Sequence, residues 1–467
     1  MIELTLSEVA EITGGRLNRA DLGDRSIRGL SIDTRTIEPG ALFVALSGAR
    51  RDGHDFVEAA GQAGASAALV ERVVDSALPQ VVVDDSRRAM AALATAWRLR
   101  CPARVVAITG SAGKTTVKQL LRAIFAADAP TLATEGNLNN DLGVPLTLSR
   151  LGAAHRWAVI EMGANHLGEI EGLCKIARPD ISIITFAGRA HLGEFGGVDA
   201  IIRAKGEIYP QLGPEGVAVM NLGSAGVDRW LNRAGAGRVV GFLMDGDEPR
   251  VDRRPDLQGF WTEGGNGESL LEVIEGAARH RLPVPLPGRH NAFNLLAAVA
   301  VARSAGVSWD CIADGLAAFV PPEGRMSSHR VSECLTIIDD SYNANPEAFR
   351  AAIEVLAARP GRRVLVMGDM GELGEASAGL HREVAAQALT RLDAVFALGP
   401  DSVAALKAEG AKGACETFEA LVDALKAWLV QVEGEPVTVL VKGSRFMHME
   451  RVVSALAGMR EGGQSCS

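Results

Sequence analysis

Glycines, a lysine and threonines form one cluster whose residue types suit phosphate binding. The stretch Thr109-Gly-Ser-Ala-Gly-Lys-Thr115 follows an apolar run at 105–108 and opens a helical pattern over 114–126. Glycines let backbone N–H groups surround an oxyanion, and a helix N-terminus adds roughly +0.5 charge. Lys114 would reach the outer phosphates, and Thr115 would ligate Mg²⁺. The predicted nucleotide-binding residues are Gly110, Ser111, Ala112, Gly113, Lys114, Thr115 and Thr116.

The spacing of this loop differs from the usual phosphate-loop pattern. Four residues normally separate the two glycines, whereas here only Ser111 and Ala112 do. An ordinary turn between a strand and a helix is the alternative. Because a strand and a helix flank the loop in the expected order, we favour nucleotide binding.

Two further polar residues follow predicted strands of the same region. Glu161 ends a strand over 157–161, and His191 follows a strand over 180–185. Ligands of open parallel sheets lie beyond the carboxyl ends of the strands, so both residues are predicted beside the phosphate loop as Mg²⁺ ligands. Taken singly, they could equally be a helix cap and a loop histidine. Lys205 by itself has no signal beyond that of a surface lysine.

Alternating strand and helix patterns predict an α/β protein of three domains. The 467 residues divide into a small α/β domain at 1–102, a central parallel-sheet domain with the phosphate loop at 103–320, and a doubly wound, Rossmann-like domain at 321–467. A polar segment at 249–287 is predicted to form antiparallel strands at one sheet edge. A short amphipathic helix and turn are predicted over 4–17.

Polar residues in three other places admit two interpretations. Asn291 and Asn294 lie one helical turn apart, where their amides could recognise adenine or cap the helix. Ser31, Thr34 and Arg35 could bind an anion or form a turn with a surface ion pair. The strand-end loop with Asp340, Asn343 and Asn345 favours a second substrate pocket over turn stabilisation.

Composition excludes several classes of function. The formal charge is −9 and no basic run stands out, which argues against a nucleic-acid partner. The N-terminus lacks a signal-peptide pattern, and no apolar window approaches the ~18 residues of a membrane span. The six cysteines are scattered without paired spacing, so we predict neither zinc ligands nor disulfides. A cytoplasmic location is therefore predicted.

Several longer motifs together resemble the Mur ligases of peptidoglycan synthesis, whose phosphate loop has the same shortened spacing. The similarity spans nearly the whole chain and is strongest to the branch that adds D-alanyl-D-alanine. The diaminopimelate-adding branch's Asp-Asn-Pro-Arg sequence is absent. The motifs are Glu135-Gly-Asn-Leu-Asn-Asn-Asp-Leu-Gly-Val-Pro-Leu146, Asp339-Asp-Ser-Tyr-Asn-Ala-Asn-Pro346, Val366-Met-Gly-Asp-Met-Gly-Glu-Leu-Gly374 and Lys442-Gly-Ser-Arg-Phe-Met-His-Met-Glu450.

The resemblance implies a reaction and a set of roles. UDP-N-acetylmuramoyl-tripeptide, D-alanyl-D-alanine and ATP would give the pentapeptide, ADP and phosphate through an acyl phosphate. Lys114, Glu161, His191 and Lys205 would be catalytic, with Mg²⁺ held by Thr115 and Glu161, and a second metal by His191 and a carbamylated Lys205. Asn291, Asn294, Arg325 and Asp340 would contact ATP. Substrate contacts would come from Ser31, Thr34, Arg35, Asp52, His54, Asn139, Asn140, Asn343 and Asn345.

The remaining expectations concern assembly and alternative functions. The resemblance implies a monomer. A sibling enzyme of the same architecture is one alternative, either the diaminopimelate-adding ligase or a folylpolyglutamate synthase. A nucleotide-binding regulator that has lost ligation is another, against which the retained Lys114, Glu161, His191 and Lys205 argue.

Overall fold

The structure is a computed structural model that describes residues 1–49, 51–188, 197–234, 237–264 and 269–458. Within these ranges, three sheets of five or more strands follow one another along the chain, each dominated by parallel pairing, and a two-stranded antiparallel sheet accompanies the first. The predicted α/β fold class is confirmed. The exact domain boundaries at 102 and 320 stay a prediction.

The N-terminal segment contains a five-stranded sheet with the order β2-β7-β6-β5-β4 and a separate β1-β3 pair. Gly14 adopts a left-handed φ of 65° and ends the first helix, in agreement with the short helix and turn predicted over 4–17, but the strand that follows was not predicted. The elements are β1 (Glu3–Thr5), α1 (Leu6–Thr13), β2 (Arg16–Leu17), β3 (Ser26–Arg28), β4 (Leu30–Ser31), β5 (Leu42–Val44), α2 (Val57–Gln62), β6 (Ala67–Val70), β7 (Gln80–Val82) and α3 (Ser86–Arg100).

The central segment is built on a nine-stranded sheet with the order β16-β15-β14-β13-β12-β11-β8-β10-β9. Its strands are β8 (Arg104–Thr109), β9 (Thr131–Ala133), β10 (Trp157–Glu161), β11 (Ile181–Ile184), β12 (Val217–Asn221), β13 (Arg238–Met244), β14 (Leu257–Glu263), β15 (Ser269–Glu275) and β16 (Ala278–Pro283). Its helices are α4 (Lys114–Asp128), α5 (Gly143–Ser149), α6 (Glu169–Ala177), α7 (Val198–Gly206), α8 (Val227–Arg233), α9 (Arg289–Ser304) and α10 (Trp309–Ala317). The pairing of β14, β15 and β16 is antiparallel, which confirms the predicted edge excursion.

Strand β8 has apolar residues on both faces because helices cover both sides of the sheet. Val106 and Ile108 lie in the core beneath α4 and α9, and Val105 and Ala107 lie in the core on the opposite face. A continuous β-branched run is the expected pattern for such a strand. Parallel neighbours on either side, β10 and β11, end at the same edge as β8. This common edge is where the predicted nucleotide loop begins.

The C-terminal segment has a six-stranded sheet with the order β17-β18-β22-β19-β20-β21, parallel except for the edge strand β17. The strands are β17 (Ser327–Arg330), β18 (Leu335–Asp340), β19 (Arg362–Gly368), β20 (Ala394–Leu398), β21 (Ala414–Cys415) and β22 (Val437–Lys442). The helices are α11 (Pro346–Ala357), α12 (Ser377–Arg391), α13 (Pro400–Ala408), α14 (Phe418–Gln431) and α15 (Glu450–Ala457).

The structure bears on two expectations from composition, one about membrane-spanning helices and one about the cysteines. Of the helices in the described ranges, none combines the length and apolar character of a membrane span. Cys101, Cys174 and Cys415 are buried free thiols, as predicted. Cys334 is disulfide-bonded, so the prediction of no disulfides is wrong for that residue.

The close contact between α10 and α4 depends on Gly315. A Cβ atom at this position would overlap the Ile124 Cα atom and lie 2.7 Å from the Ala123 oxygen. Backbone atoms cannot move aside as a flexible side chain can. We therefore expect Gly315→Ala to displace α4, the helix that begins at the phosphate loop.

We predict that Gly315→Ala lowers the stability of the protein by about 1–3 kcal/mol, as overpacking typically does. The measurement is the thermal midpoint by circular dichroism. Gly379→Ala is the matched control, since Gly379 lies in α12 with nothing within 4 Å of an added Cβ atom. It should leave the midpoint unchanged or raise it slightly. Equal midpoints for the two variants would contradict the prediction.

Candidate active site

A cleft of about 2160 Å³ lies beyond the carboxyl ends of β8 and β10 and extends to the C-terminal segment. This is the position at which open parallel sheets bind ligands. It brings together most of the predicted site residues of the central and C-terminal segments. Its lining includes Ser111, Ala112, Gly113, Lys114, Thr115, Thr116, Asn139, Asn140, Glu161, Asn291, Asn294, Arg325, Asp340, Asn343 and Asn345.

The phosphate loop between β8 and α4 requires its two glycines. Gly110 and Gly113 have φ angles of 152° and 80°, and a Cβ atom on them would overlap the Thr185 hydroxyl and the Asn294 amide oxygen respectively. The Ser111 N–H donates to the Phe186 carbonyl at 2.6 Å. The loop is therefore fixed from both sides, and the first N–H groups of α4 are aligned at the cleft.

Lys114 begins α4 and lies in the cleft, as predicted. Its Nζ atom donates to the Gly110 carbonyl at 2.6 Å, which folds the side chain back over the loop. Burial lowers the pKa of Lys114, and Glu161 opposes this shift only in part. A negatively charged phosphate in the cleft would favour the charged ammonium, so nucleotide binding and the positive charge of Lys114 should support each other.

Glu161 is 3% exposed at the end of β10 and is held by three side chains. It accepts hydrogen bonds from the Thr115 hydroxyl at 3.0 Å and from the Asn139 amide at 2.9 Å. It also pairs with Lys118 Nζ at 3.1 Å. Burial raises the pKa of Glu161, but Lys118 and Lys114 outweigh this effect and hold the pKa below its usual value. Glu161 is therefore an ionised carboxylate at neutral pH.

Lys118 was not among the predicted site residues. It is 1% exposed and neutralises Glu161 from within α4. Its spacing of four residues from Lys114 places both lysines on one helix face, which was the available signal. Nothing in the sequence alone indicated which carboxylate the second lysine would meet.

The oxygen atoms of Thr115 and Glu161 suit a divalent cation. Mg²⁺ prefers hard oxygen ligands and is usually held by one or two carboxylates together with substrate phosphates and water. The Thr115 hydroxyl and the Glu161 carboxylate lie 3.0 Å apart beside the phosphate loop. Within the described ranges, no group of three or more His, Cys, Asp or Glu side chains forms a metal cage. These two residues fit Mg²⁺ that is shared with a nucleotide.

The second predicted metal site is described only in part. His191 lies outside the described residues. Lys205 is 1% exposed in α7, and its Nζ atom donates to the Ala164 carbonyl at 3.2 Å. Burial lowers the pKa of Lys205 to about 7, and the nearby charge of Lys114 adds to this effect. A large fraction of Lys205 is therefore an uncharged amine at neutral pH.

Asn291 and Asn294 lie at the start of α9, beside the phosphate loop. The Asn291 amide donates to the Pro287 carbonyl at 2.8 Å, and the Asn294 amide donates to the Asn291 oxygen at 3.2 Å. His290, which was not predicted, also lines the cleft, and desolvation lowers its pKa to about 4. Asn294 of this pair lies against Gly113 of the phosphate loop. Recognition of a base stays a prediction.

Asn140 has a local structural role in addition to its position in the cleft. Its side-chain oxygen accepts from the Gly143 and Leu142 N–H groups at 2.9 and 3.3 Å at the start of α5. Together with the bond from Asn139 to Glu161, this fixes the loop over 137–141. Direct contacts of these two residues with a substrate stay a prediction.

The C-terminal segment contributes a buried ion pair and several turn residues. Asp340 pairs with Lys442 Nζ at 2.6 Å, and this lysine also donates to the Asn343 carbonyl at 3.0 Å. Asn345 accepts from the Ala348 N–H and caps α11. The Arg325 guanidinium lies 4.3 Å from the centroid of the Tyr342 ring. Its positive charge helps to lower the pKa values of both Lys114 and Glu161. A charge of the C-terminal segment therefore acts on cleft residues of the central segment.

The five predicted residues of the N-terminal segment do not line this cleft. Arg35 is exposed and pairs with Asp33 at 2.6 Å, and this guanidinium lowers the pKa of Asp33 to about 2. The Ser31 hydroxyl donates to the Asp33 carbonyl, and Thr34 begins the following turn. These contacts are those expected of a stable turn.

His54 is buried, and both of its ring nitrogens have partners. The Asp52 carboxylate lies 2.6 Å from Nδ1, and Nε2 accepts from the Glu71 N–H at 2.8 Å. His54 therefore holds the Asp52 loop, and direct contact with a ligand would require breaking one of these bonds. Substrate binding by this segment stays a prediction.

Removing Lys118 leaves a buried carboxylate without its ion-pair partner. We predict that Lys118→Met destabilises the protein by about 3–5 kcal/mol. The loss should be largest near neutral pH and smaller at low pH, because without Lys118 burial raises the pKa of Glu161, and protonation of the variant's carboxylate removes the unpaired charge. Thermal midpoints measured from pH 4 to pH 8 test this, with the pH values chosen to bracket the usual carboxyl pKa of about 4.3.

The matched control is Lys175→Met, since Lys175 forms an exposed ion pair with Glu171 in α6. Such pairs contribute roughly 0–1 kcal/mol. A Lys118→Met variant as stable as this control would show that Lys118 does not compensate the charge of Glu161.

The matches to known protein families fall into the same three parts of the chain. Three family models match: "Mur ligase family, catalytic domain" over residues 26–102, "Mur ligase middle domain" over 108–302 and "Mur ligase, glutamate ligase domain" over 324–445. Together they match most of the chain.

Individual relatives match over nearly the full length. The UDP-N-acetylmuramoyl-tripeptide–D-alanyl-D-alanine ligase of Escherichia coli is 41% identical, over 98% of this chain and 99% of that protein. A crystal structure of MurF from Acinetobacter baumannii is 36% identical, with a TM-score of 0.90, and covers 98% of this chain and 99% of its own. The MurF ligase of Thermotoga maritima in complex with ADP is 29% identical, with a TM-score of 0.81 and coverages of 93% and 98%. The chain belongs to the Mur ligase family.

Proposed function

We propose that this chain joins D-alanyl-D-alanine to UDP-N-acetylmuramoyl-tripeptide and converts ATP to ADP and phosphate, in peptidoglycan precursor synthesis. The observation that carries the proposal is one cleft in which the phosphate loop and Glu161 face the strand-end loops of the C-terminal segment. The full-length relatives that share this organisation carry the name of this ligase.

The chemistry requires activation of a carboxylate. A carboxylate is a poor electrophile, so the γ-phosphoryl group first moves to the terminal carboxylate of the tripeptide and gives an acyl phosphate. The dipeptide's ammonium group releases a proton, the resulting amine attacks the acyl carbon, and phosphate leaves from a tetrahedral intermediate. Two anions, triphosphate and carboxylate, must approach each other in the first step. Positive charge at the cleft is therefore the main requirement.

The chain supplies this charge from three sources. Lys114 folds over the phosphate loop, and the N-terminus of α4 presents backbone N–H groups to the same space. Arg325 adds a guanidinium from the C-terminal side. These groups would hold the β- and γ-phosphates and stabilise charge that develops during transfer. Removing one such group typically lowers the rate about 10²–10³-fold.

Thr115 and Glu161 would hold Mg²⁺, and His191 with a carbamylated Lys205 would hold a second metal. Bound Mg²⁺ would neutralise phosphate charge and orient the transferred group. Lys118 keeps Glu161 ionised and oriented before any metal binds. Burial makes Lys205 a partly neutral amine, the form that reacts with CO₂ to give an anionic carbamate.

The other expected roles also belong to this proposal. Ser31, Thr34, Arg35 and the Asp52–His54 turn would hold the uridine diphosphate group, at a distance from the chemistry. Asn291 and Asn294 would lie near the nucleotide base. The enzyme would act as a monomer in the cytoplasm, without a nucleic-acid partner. Closure of the C-terminal segment over ATP would protect the acyl phosphate from water.

A purified-protein assay for phosphate release tests the function. Release should require ATP, UDP-N-acetylmuramoyl-tripeptide and D-alanyl-D-alanine together. Lys114→Met should lower kcat about 10²–10³-fold, whereas Lys175→Met on the exposed face of α6 should not. Release with diaminopimelate or glutamate as the acceptor would indicate a sibling ligase. Tight ATP binding without acceptor-dependent turnover would indicate a regulator.

Carbamylation of Lys205 has a readout that does not depend on activity. Protein equilibrated with ¹³C-bicarbonate should show a carbamate signal by ¹³C NMR, stronger at about pH 8 than at about pH 6, because the neutral amine predominates above the pKa of about 7. The signal should disappear in Lys205→Met and persist in Lys175→Met. A wild-type spectrum without a carbamate signal at either pH would refute the modification.

A further inference from the structure

Two exposed, opposite charges line the cleft on adjoining loops of the C-terminal segment. Glu372 follows β19, and Arg445 follows β22. The Gly371 N–H donates to the Ser444 hydroxyl at 2.8 Å, and the Ser444 N–H donates to the Asp369 carbonyl at 2.9 Å. Each charged residue directly follows one member of the Gly371–Ser444 pair. The two charged residues therefore lie on loops that are joined by hydrogen bonds.

The backbone at Glu372 is held in an unfavourable conformation. Its φ of 62° lies in the left-handed region, which costs a residue other than glycine roughly 1–3 kcal/mol. Neighbours on both sides enforce this conformation: the Met370 N–H donates to His381 Nε2 at 2.8 Å, and Leu373 is buried in the core. Such strain concentrates at functional sites. Its result here is a carboxylate at the cleft, close enough to raise the pKa of Lys114.

Arg445 is positioned by an aromatic ring and a carboxylate. Its guanidinium lies 5.8 Å from the centroid of the Tyr342 ring and pairs with Glu450 at 3.0 Å. Its side chain is 59% exposed, and the five N–H donors of a guanidinium leave capacity for a second carboxylate. Phe446, which is 61% exposed, lies against Gly371 and adds apolar surface between the two loops.

The second substrate of the proposed reaction has matching chemistry. A dipeptide at neutral pH carries an ammonium group and a carboxylate, since their usual pKa values are about 8 and 3.5. Its two ends lie at most ~7 Å apart. The ammonium end must lie nearer the acyl phosphate, which forms beside Lys114. Glu372 and Lys114 line the same cleft.

We propose that Glu372 binds the ammonium group and Arg445 binds the carboxylate of D-alanyl-D-alanine, so that this pair of loops selects a free zwitterionic dipeptide. The proposal rests on the proposed function, whose substrate it places. Lys442, another cation of the cleft, pairs with buried Asp340.

Removing the acceptor's carboxylate tests Arg445. The specificity constant kcat/KM is measured for D-alanyl-D-alanine and for D-alanyl-D-alaninamide. Wild-type enzyme should prefer the free acid about 10–100-fold, the usual range for a charge-assisted hydrogen bond. Arg445→Met should reduce the preference to about threefold or less, and Arg445→Lys should restore part of it. The control is Arg382→Met. Arg382 lies in α12 and forms an exposed ion pair with Glu409, so this variant should keep the wild-type preference.

Replacing the acceptor tests Glu372. Hydroxylamine attacks acyl phosphates and is uncharged at neutral pH, so it does not require an ammonium site. Glu372→Gln should lower the ratio of dipeptide-dependent to hydroxylamine-dependent phosphate release at least about 10-fold. Glu375→Gln, an exposed carboxylate three residues away, should keep the wild-type ratio.

The outcomes separate this inference from the function on which it rests. Wild-type enzyme without dipeptide-dependent turnover would refute the proposed function itself. Normal wild-type turnover combined with unchanged ratios in Arg445→Met and Glu372→Gln would refute the zwitterion site alone.

Discussion

The structure depends on gathering positive charge at one edge of a sheet without leaving a buried charge unpaired. Burying a lone ion is costly, so each charged group at the end of β8 and β10 must find its counterpart before a ligand arrives. Glu161 illustrates the solution, since Lys118, Thr115 and Asn139 together keep it ionised although it is buried. These bonds join α4, β10 and the loop over 137–141 into one rigid unit. Lys114 and the helix N-terminus then remain available for phosphate.

The cleft divides the chemistry between two parts of the chain. The central segment provides the phosphate-binding face, with a loop whose glycines are required by the close approach of Thr185 and Asn294. The C-terminal segment provides the opposite face, where Asp340 and Lys442 form a buried pair and Glu372 and Arg445 are exposed. In the proposed reaction, the anionic substrates meet on the first face and the dipeptide enters from the second. This division explains why one site needs two α/β units: each contributes the loops at the carboxyl ends of its own parallel strands.

Much of the site could be predicted because parallel topology turns local patterns into spatial neighbours. A buried strand, a glycine turn and a helix identify the phosphate loop, and the position of Glu161 at a strand end places it on the same edge. A short helix and turn were predicted over 4–17, but the strand after Gly14 was not, because its pairing with β7 is a contact with residues distant in the chain. The polar residues of the N-terminal segment satisfy one another in turns, and their local pattern could not distinguish this from ligand binding.

The sequence by itself determined the α/β class, the phosphate loop and the edge at which Glu161 would lie, since each follows from residues close together in the chain. Only the tertiary structure decided that Lys118 is the counterion of Glu161, that His290 lines the cleft, and that Glu372 and Arg445 lie on adjoining loops. The physical reason is that burial and charge pairing depend on contacts between distant residues. Periodicity and spacing report which face of an element is apolar, but they do not report which charge on another element will meet it.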